Sequence, residues 1–297
     1  MSRRRSRARL SAVTVGVVVA LALTAGVLLS GRMRPAPRPA AQPPAPAATP
    51  RPAQSTPAPR VELRRVRQTP AAQPTAQPAY RVAIVFDDAG GSLADVEGII
   101  AIGRPVAVAV LPGLAHSTEV TRRVQAAGLE VLLHLPVEPH DDTKAMGPGG
   151  VMVAMSDADI QSTVRAGLAS VPGAVGVNNH MGSKGMADRR VVRAMLEVAR
   201  REGLFFLDSR TTVHTVGEEV AAELGVQAAR RHVFLDNEDD EEAIRRQVRR
   251  LITLAKERGT AIAIGHAQRI TARVVAGMLD ELDREGIAIV PVSTLVR

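Results

Sequence analysis

From Tyr80 onward the sequence alternates short apolar runs with amphipathic segments of about 10 to 20 residues, and this rhythm constrains the fold more than any other feature. The runs predict strands at Val82–Phe86, Val106–Leu111, Leu129–Leu133, Ala174–Val177, Leu204–Leu207, His232–Leu235, Thr260–Ile264 and Ile287–Val292. Gly128, Gly203, Gly259 and Gly286 stand where helices end before a strand begins. Thr215-x-x-Glu218 and Ser156-x-x-Asp159 read as helix starts. Ile244, Val248, Leu251, Ile252 and Ala255 form an apolar stripe at helical spacing within 239–258. Eight strands separated by helices imply an α/β domain with a mainly parallel sheet, closed into a barrel or open and doubly wound. The segment His140–Val153 is glycine-rich and irregular, as a loop over a site would be.

Composition narrows the function. Hydrophobic residues make up 45% of the 297, which excludes wholesale disorder. Cysteine is absent, so there is no disulfide scaffold, thiolate metal site or cysteine nucleophile. The net charge of +8 belongs to the tail: residues 1–79 hold 13 Arg and one Glu, whereas 80–297 hold 25 basic and 29 acidic residues. A mildly acidic domain with 2% aromatics argues against nucleic acid as a partner. Residues 1–9 are basic. Residues 10–31 carry an uncharged run from Leu10 to Leu29, long enough to cross a bilayer as a single transmembrane signal-anchor. Residues 32–79 are rich in Pro and Ala and read as a disordered linker. The expected arrangement is a bacterial inner-membrane protein whose globular domain, 80–297, lies in the periplasm.

The polar residues fall at strand ends. Asp87 and Asp88 follow the first strand, His134 ends the third, and Asn178, Asn179 and His180 follow the fourth. Asp208, Ser209 and Arg210 follow the fifth, Asp236 and Asn237 the sixth, and His266 the seventh. In parallel α/β folds these ends share one face, where active sites are built. Two adjacent carboxylates repel unless a cation relieves them. One Asp with two His is a plausible ligand set for a divalent metal such as Zn, with Mn, Co or Ni also compatible. A spare carboxylate and an opposing imidazole complete the requirements of metal-assisted amide hydrolysis.

Taken in order, Phe86-Asp87-Asp88, Glu130-Val131-Leu132-Leu133-His134-Leu135-Pro136, Gly176-Val177-Asn178-Asn179-His180-Met181-Gly182-Ser183, Phe206-Leu207-Asp208-Ser209-Arg210-Thr211 and Ile264-Gly265-His266 resemble the divergent polysaccharide deacetylase family. That family is related to the chitin and peptidoglycan deacetylases. The resemblance covers 80–297 and implies a distorted (β/α)7-type barrel and a metal-dependent hydrolase that removes acetyl groups from a polysaccharide or peptidoglycan fragment. It implies Asp87 as general base, Asp88 and His134 as metal ligands, and His266 as general acid. The relatives' second metal histidine is replaced here by Glu138, and His180 is the candidate third ligand, with Glu138 its competitor. Asn179, Asp208, Arg210 and Glu138 are expected to orient the site or hold substrate. The rival readings are a catalytically inactive module that binds a glycan or an envelope protein, and a metal-dependent amidase acting on a peptide or small amide.

Overall fold

The computed structural model describes residues 80–297, except positions 142 and 144. The expected anchor at 10–31 and linker at 32–79 lie outside the described residues. The elements run β1 (Tyr80–Ala89), α1 (Leu93–Ile100), β2 (Ala107–Val110), α2 (Ser117–Ala126), β3 (Glu130–Val137), α3 (Asp157–Ser170), β4 (Gly176–Met181), α4 (Arg189–Arg201) and β5 (Phe205–Asp208). There follow α5 (Gly217–Leu224), β6 (Ala228–Arg230), β7 (Val233–Phe234), α6 (Glu241–Arg258), β8 (Thr260–His266), α7 (Arg269–Ala276), α8 (Leu279–Arg284) and β9 (Ile287–Ile289).

Every ladder is parallel, in the order β6-β5-β4-β3-β2-β1-β8-β7, with β9 beside the start of β1. β6 and β7 stand at the two ends of this path, yet only Arg231 and His232 separate them in the chain. The sheet therefore curls until its ends are neighbours. Arg231 N–H still donates to Asp208 O on one side of the seam, and His232 N–H donates to Ile262 O on the other. The expected barrel is thus a parallel α/β half-barrel, its ladder interrupted at one seam. β6 is the strand absent from the sequence prediction, because Ala228-Ala229-Arg230 carries no apolar run.

Side chains alternate along each strand. Val82, Ile84 and Phe86 of β1 face the helices and join the larger core, whereas Ala83 and Val85 face inward with Ala107, Ala109, Leu132, Leu207, Ile262 and Ile264. The interior is lined by a mixture of alanines with Val, Leu, Ile and Phe side chains. Gly176 is required there, since a Cβ would lie 2.5 Å from Cε2 of the buried Phe205 ring. Residues Val292 and Val296 at the chain's end join the inner cluster.

The helices cover the outer face as their patterns demand. α6 buries the stripe Ile244, Val248, Leu251, Ile252 and Ala255, is capped by Asp240 accepting from Ala243 N–H, and ends at Gly259 with φ 80°. Ser156 caps α3 as expected. The N-cap of α5 is Val216, one residue after Thr215; the Thr215 hydroxyl accepts from the N–H of Gly217, the first residue of the helix, at 3.2 Å and donates to Asp208 Oδ2.

Candidate active site

The inward-facing series on the strands becomes polar at the C-terminal mouth. Ala83 and Val85 lead to Asp87, Leu132 leads to His134, and Ile262 and Ile264 lead to His266. Asn178 and His180 occupy the corresponding positions of β4. Ladder register sets Asp87 beside His266 and His134 beside Asn178.

Strict alternation would turn Asp88 away from Asp87. It does not, because the β1–β2 register slips between Phe86 and Ala89, and Asp88 adopts φ 61°. Asp is one of the few non-glycine residues that tolerates this left-handed conformation, and bulges of this kind re-aim side chains. Asp88 Oδ1 consequently lies 3.0 Å from His134 Nε2 and 2.8 Å from His180 Nδ1. These three ligand atoms all lie within 4.8 Å of one another. Asp88 Oδ1 is buried and accepts no aligned hydrogen bond. One oxygen and two imidazole nitrogens converging around such an orphaned acceptor fit a divalent metal, and the absence of sulfur suits Zn, Mn, Co or Ni.

Asn178 locks the cluster from behind. Its Oδ1 lies 2.9 Å from His134 Nδ1, and its Nδ2 donates to Asp87 Oδ1 at 2.9 Å. A carbonyl oxygen at Nδ1 favours the tautomer that leaves Nε2 free to ligate. Asp87 Oδ2 in turn lies 3.6 Å from His134 Nε2. His266 borders the cluster through Asp88, with Nε2 3.8 Å from Oδ2. Its Nδ1 lies 3.1 Å from Asp236 Oδ1, and its ring meets Phe234 edge-on at 5.1 Å. Asp236 is buried, and its Oδ2 accepts from His266 N–H at 2.7 Å and from Thr271 Oγ1 at 2.6 Å.

The electrostatics separate the two carboxylates. Burial pushes the Asp87 carboxyl above its ordinary value, and the Asp88 charge adds to this against the opposing pull of His134 and Asn178. Burial also opposes the Asp88 charge, but His134 and His180 outweigh it and hold that carboxyl far below the usual range. Asp236 leads in raising His266, against its partial burial. Neighbouring carboxyls driven apart in this way suit one for binding a cation and the other for moving a proton.

The remaining predicted residues lie elsewhere. Glu138 turns from the three-atom cluster: Oε2 accepts from Val153 N–H and Oε1 pairs with Lys184, each at 2.5 Å, which pins the loop between β3 and α3. Asn179 serves backbone, accepting from Ser209 N–H and donating to Met181 O. Asp208 accepts from Arg210 N–H and Thr215 Oγ1, and the Arg210 side chain lines a cleft outside the mouth. Neither orients His266. That place is taken by Asp236, and the amide touching the cluster is Asn178. Both stand at strand ends in the sequence, but which neighbour faces inward depends on register.

Comparison with known proteins bears on this arrangement. Similarity extends to an uncharacterized protein of Haemophilus influenzae, 34% identical over 217 residues, spanning 73% of this chain and 77% of the relative. The uncharacterized protein YibQ of Escherichia coli is 36% identical over 218 residues, spanning 73% of this chain and 68% of YibQ. The crystal structure of the uncharacterized protein ATU2773 from Agrobacterium tumefaciens shares the fold, with a TM-score of 0.70 at 24% identity over 73% of this chain and 89% of that one. The sequence profile of the divergent polysaccharide deacetylases matches residues 84–296, from the middle of β1 through every residue of the mouth, and the chain therefore belongs to the divergent polysaccharide deacetylase family.

Proposed function

We propose that the protein is a metal-dependent hydrolase that removes acetyl groups from an envelope polysaccharide or peptidoglycan fragment. The observation that carries this reading is the placement of Asp87 and His266 at the border of the Asp88–His134–His180 cluster, each against a different member of it. A divalent metal held by those three side chains would supply Lewis-acid polarisation of the acyl carbonyl and lower the pKa of water.

This chain's residues perform the proton transfers. Asp87, its carboxyl raised by burial, takes a proton from the attacking water. Asn178 holds that carboxylate in place. His266, its pKa raised by Asp236, delivers a proton from Nε2 to the departing amine or alcohol. The C–N or C–O bond of the acetyl group breaks, and acetate leaves. The basic residues 1–9, the apolar run 10–31 and the linker 32–79 support an anchored domain outside the inner membrane.

The test is acetate release by the full-length chain from N- and O-acetylated oligosaccharides, set against peptide amides and repeated with chelator. Chelator-sensitive acetate release from the glycans alone supports the proposal. Turnover of the peptide amides alone would replace it with the amidase reading. Glycan binding without turnover by the metal-loaded chain would replace it with a binding module.

A further inference from the structure

The seam between β6 and β7 carries a feature the chemistry above does not use. A cleft of about 320 Å³ is lined by Arg210, Arg230, Arg231, Arg250, Arg258 and His232. These residues come from the β5–α5 loop, the seam and α6. Arg230 pairs with Glu218 at 3.2 Å. Arg231 donates from Nε to Ser209 O and from a terminal nitrogen to Arg210 O, both neutral acceptors. Arg210, Arg250 and Arg258 form no ion pair among the described residues.

His232 adds no charge. Its Nδ1 accepts from Ile262 N–H at 3.1 Å. Burial first, and then Arg258, Arg230 and Arg210, press its pKa below the ordinary value. Five guanidiniums therefore share one cleft in a domain with more acidic than basic residues. Like charges gathered in this way repel one another, and an anion relieves them. The guanidinium fork matches carboxylate and phosphate in particular.

Side-chain contacts link the lining of the cleft to residues of the mouth. Arg231 lies 4.8 Å from the centre of the Phe234 ring, and Phe234 packs edge-on against His266. Ser209, whose carbonyl Arg231 holds, accepts from Asn178 Nδ2 through Oγ at 3.3 Å.

We propose that this cleft is an anion subsite of the active centre, taking a carboxylate or phosphate group carried by the same glycan whose acetyl group reaches Asp87 and His266. The proposal rests on the deacetylase reading, and its test separates the two. Binding of a carboxylated oligosaccharide and its uncharged counterpart to the full-length chain is measured by calorimetry, with inorganic phosphate as competitor. The measurement is repeated with the R250Q/R258Q double variant, whose changes fall on the exposed face of α6.

The acidic oligosaccharide is expected to bind about tenfold tighter than the neutral one, and the double variant to lose that preference. The kcat/KM ratio for acetate release, acidic over neutral, falls in parallel. If acetate is released but parent and variant treat the two glycans alike, the subsite is overturned and the deacetylase reading stands. If nothing is deacetylated yet Arg250 and Arg258 still carry the tenfold preference, the deacetylase reading falls and the anion site stands. Inorganic phosphate that binds to the parent without displacing the acidic glycan marks a free-anion site and overturns the proposal.

Discussion

His266 Nδ1 lies 3.1 Å from Asp236 Oδ1, while the other oxygen of Asp236 is held by the His266 backbone N–H and the Thr271 hydroxyl. The carboxylate is thus fixed before it meets the imidazole. Replacing Asp236 with Asn keeps the shape but removes the charge that favours the imidazolium. Asp236→Asn is expected to lower kcat by about 10²-fold, the lower range for a general-acid contribution, with KM nearly unchanged. A KM effect without a kcat effect would show that Asp236 merely supports the fold.

Asp87 and His266 are outside the ligand set, so their loss separates chemistry from metal binding. Asp87→Asn and His266→Ala are each expected to reduce acetate release by about 10²- to 10⁴-fold while metal content stays near that of the parent. Full activity in either variant removes the role assigned to it.

The ligand set itself is tested by metal analysis of the full-length chain after loading with Zn or Mn. Asp88→Ala, His134→Ala and His180→Ala are each expected to lose the ion, whereas Glu138→Ala keeps it, because Glu138 faces Lys184 and Val153. Metal loss in Glu138→Ala with retention in His180→Ala would exchange their places.

Glu138 has a pH signature of its own. Lys184, followed by the Val153 N–H, holds its carboxyl below the ordinary 4.5. A depressed folded-state pKa contributes stability that is present above about 4.5 and is lost as pH falls through the lower folded value. Glu138→Gln is expected to cost about 1 kcal/mol at pH 7, reduced by partial solvent screening. In denaturant titrations the difference from the parent shrinks toward zero as pH falls below that depressed folded-state value. A difference that persists undiminished in acid would mean that the charge is irrelevant.

Gly176 reports on the packed interior. Gly176→Ala sets a methyl group 2.5 Å from the Phe205 ring, and the packed strands leave little room to yield. A loss of about 1–3 kcal/mol in unfolding free energy is expected. A second change, Phe205→Leu, should restore part of it, which a double-mutant cycle would measure.

The strand and helix rhythm from Tyr80 onward was legible in the sequence, since apolar periodicity is a local property that burial on one face or two imposes directly. So was the gathering of Asp87, His134, His180 and His266, because parallel strands deliver their C-terminal ends to one side. What lay beyond reading was parity and closure. Whether Asn178 or Asn179 faces the cluster depends on the phase of β4 against β3, and Asp88 joins Asp87 only through a slip in register and a left-handed backbone. The contact between Asp236 and His266 depends on β7 pairing with β8. Arg210, Arg230, Arg231, Arg250 and Arg258 are scattered over two elements and two loops, and only the curl that brings β6 and β7 together makes them one cleft. Local sequence determined which elements form and which chemistry they carry. Tertiary structure alone decided which of those side chains meet, because inward or outward direction is set by register with a neighbouring strand and not by the strand's own residues.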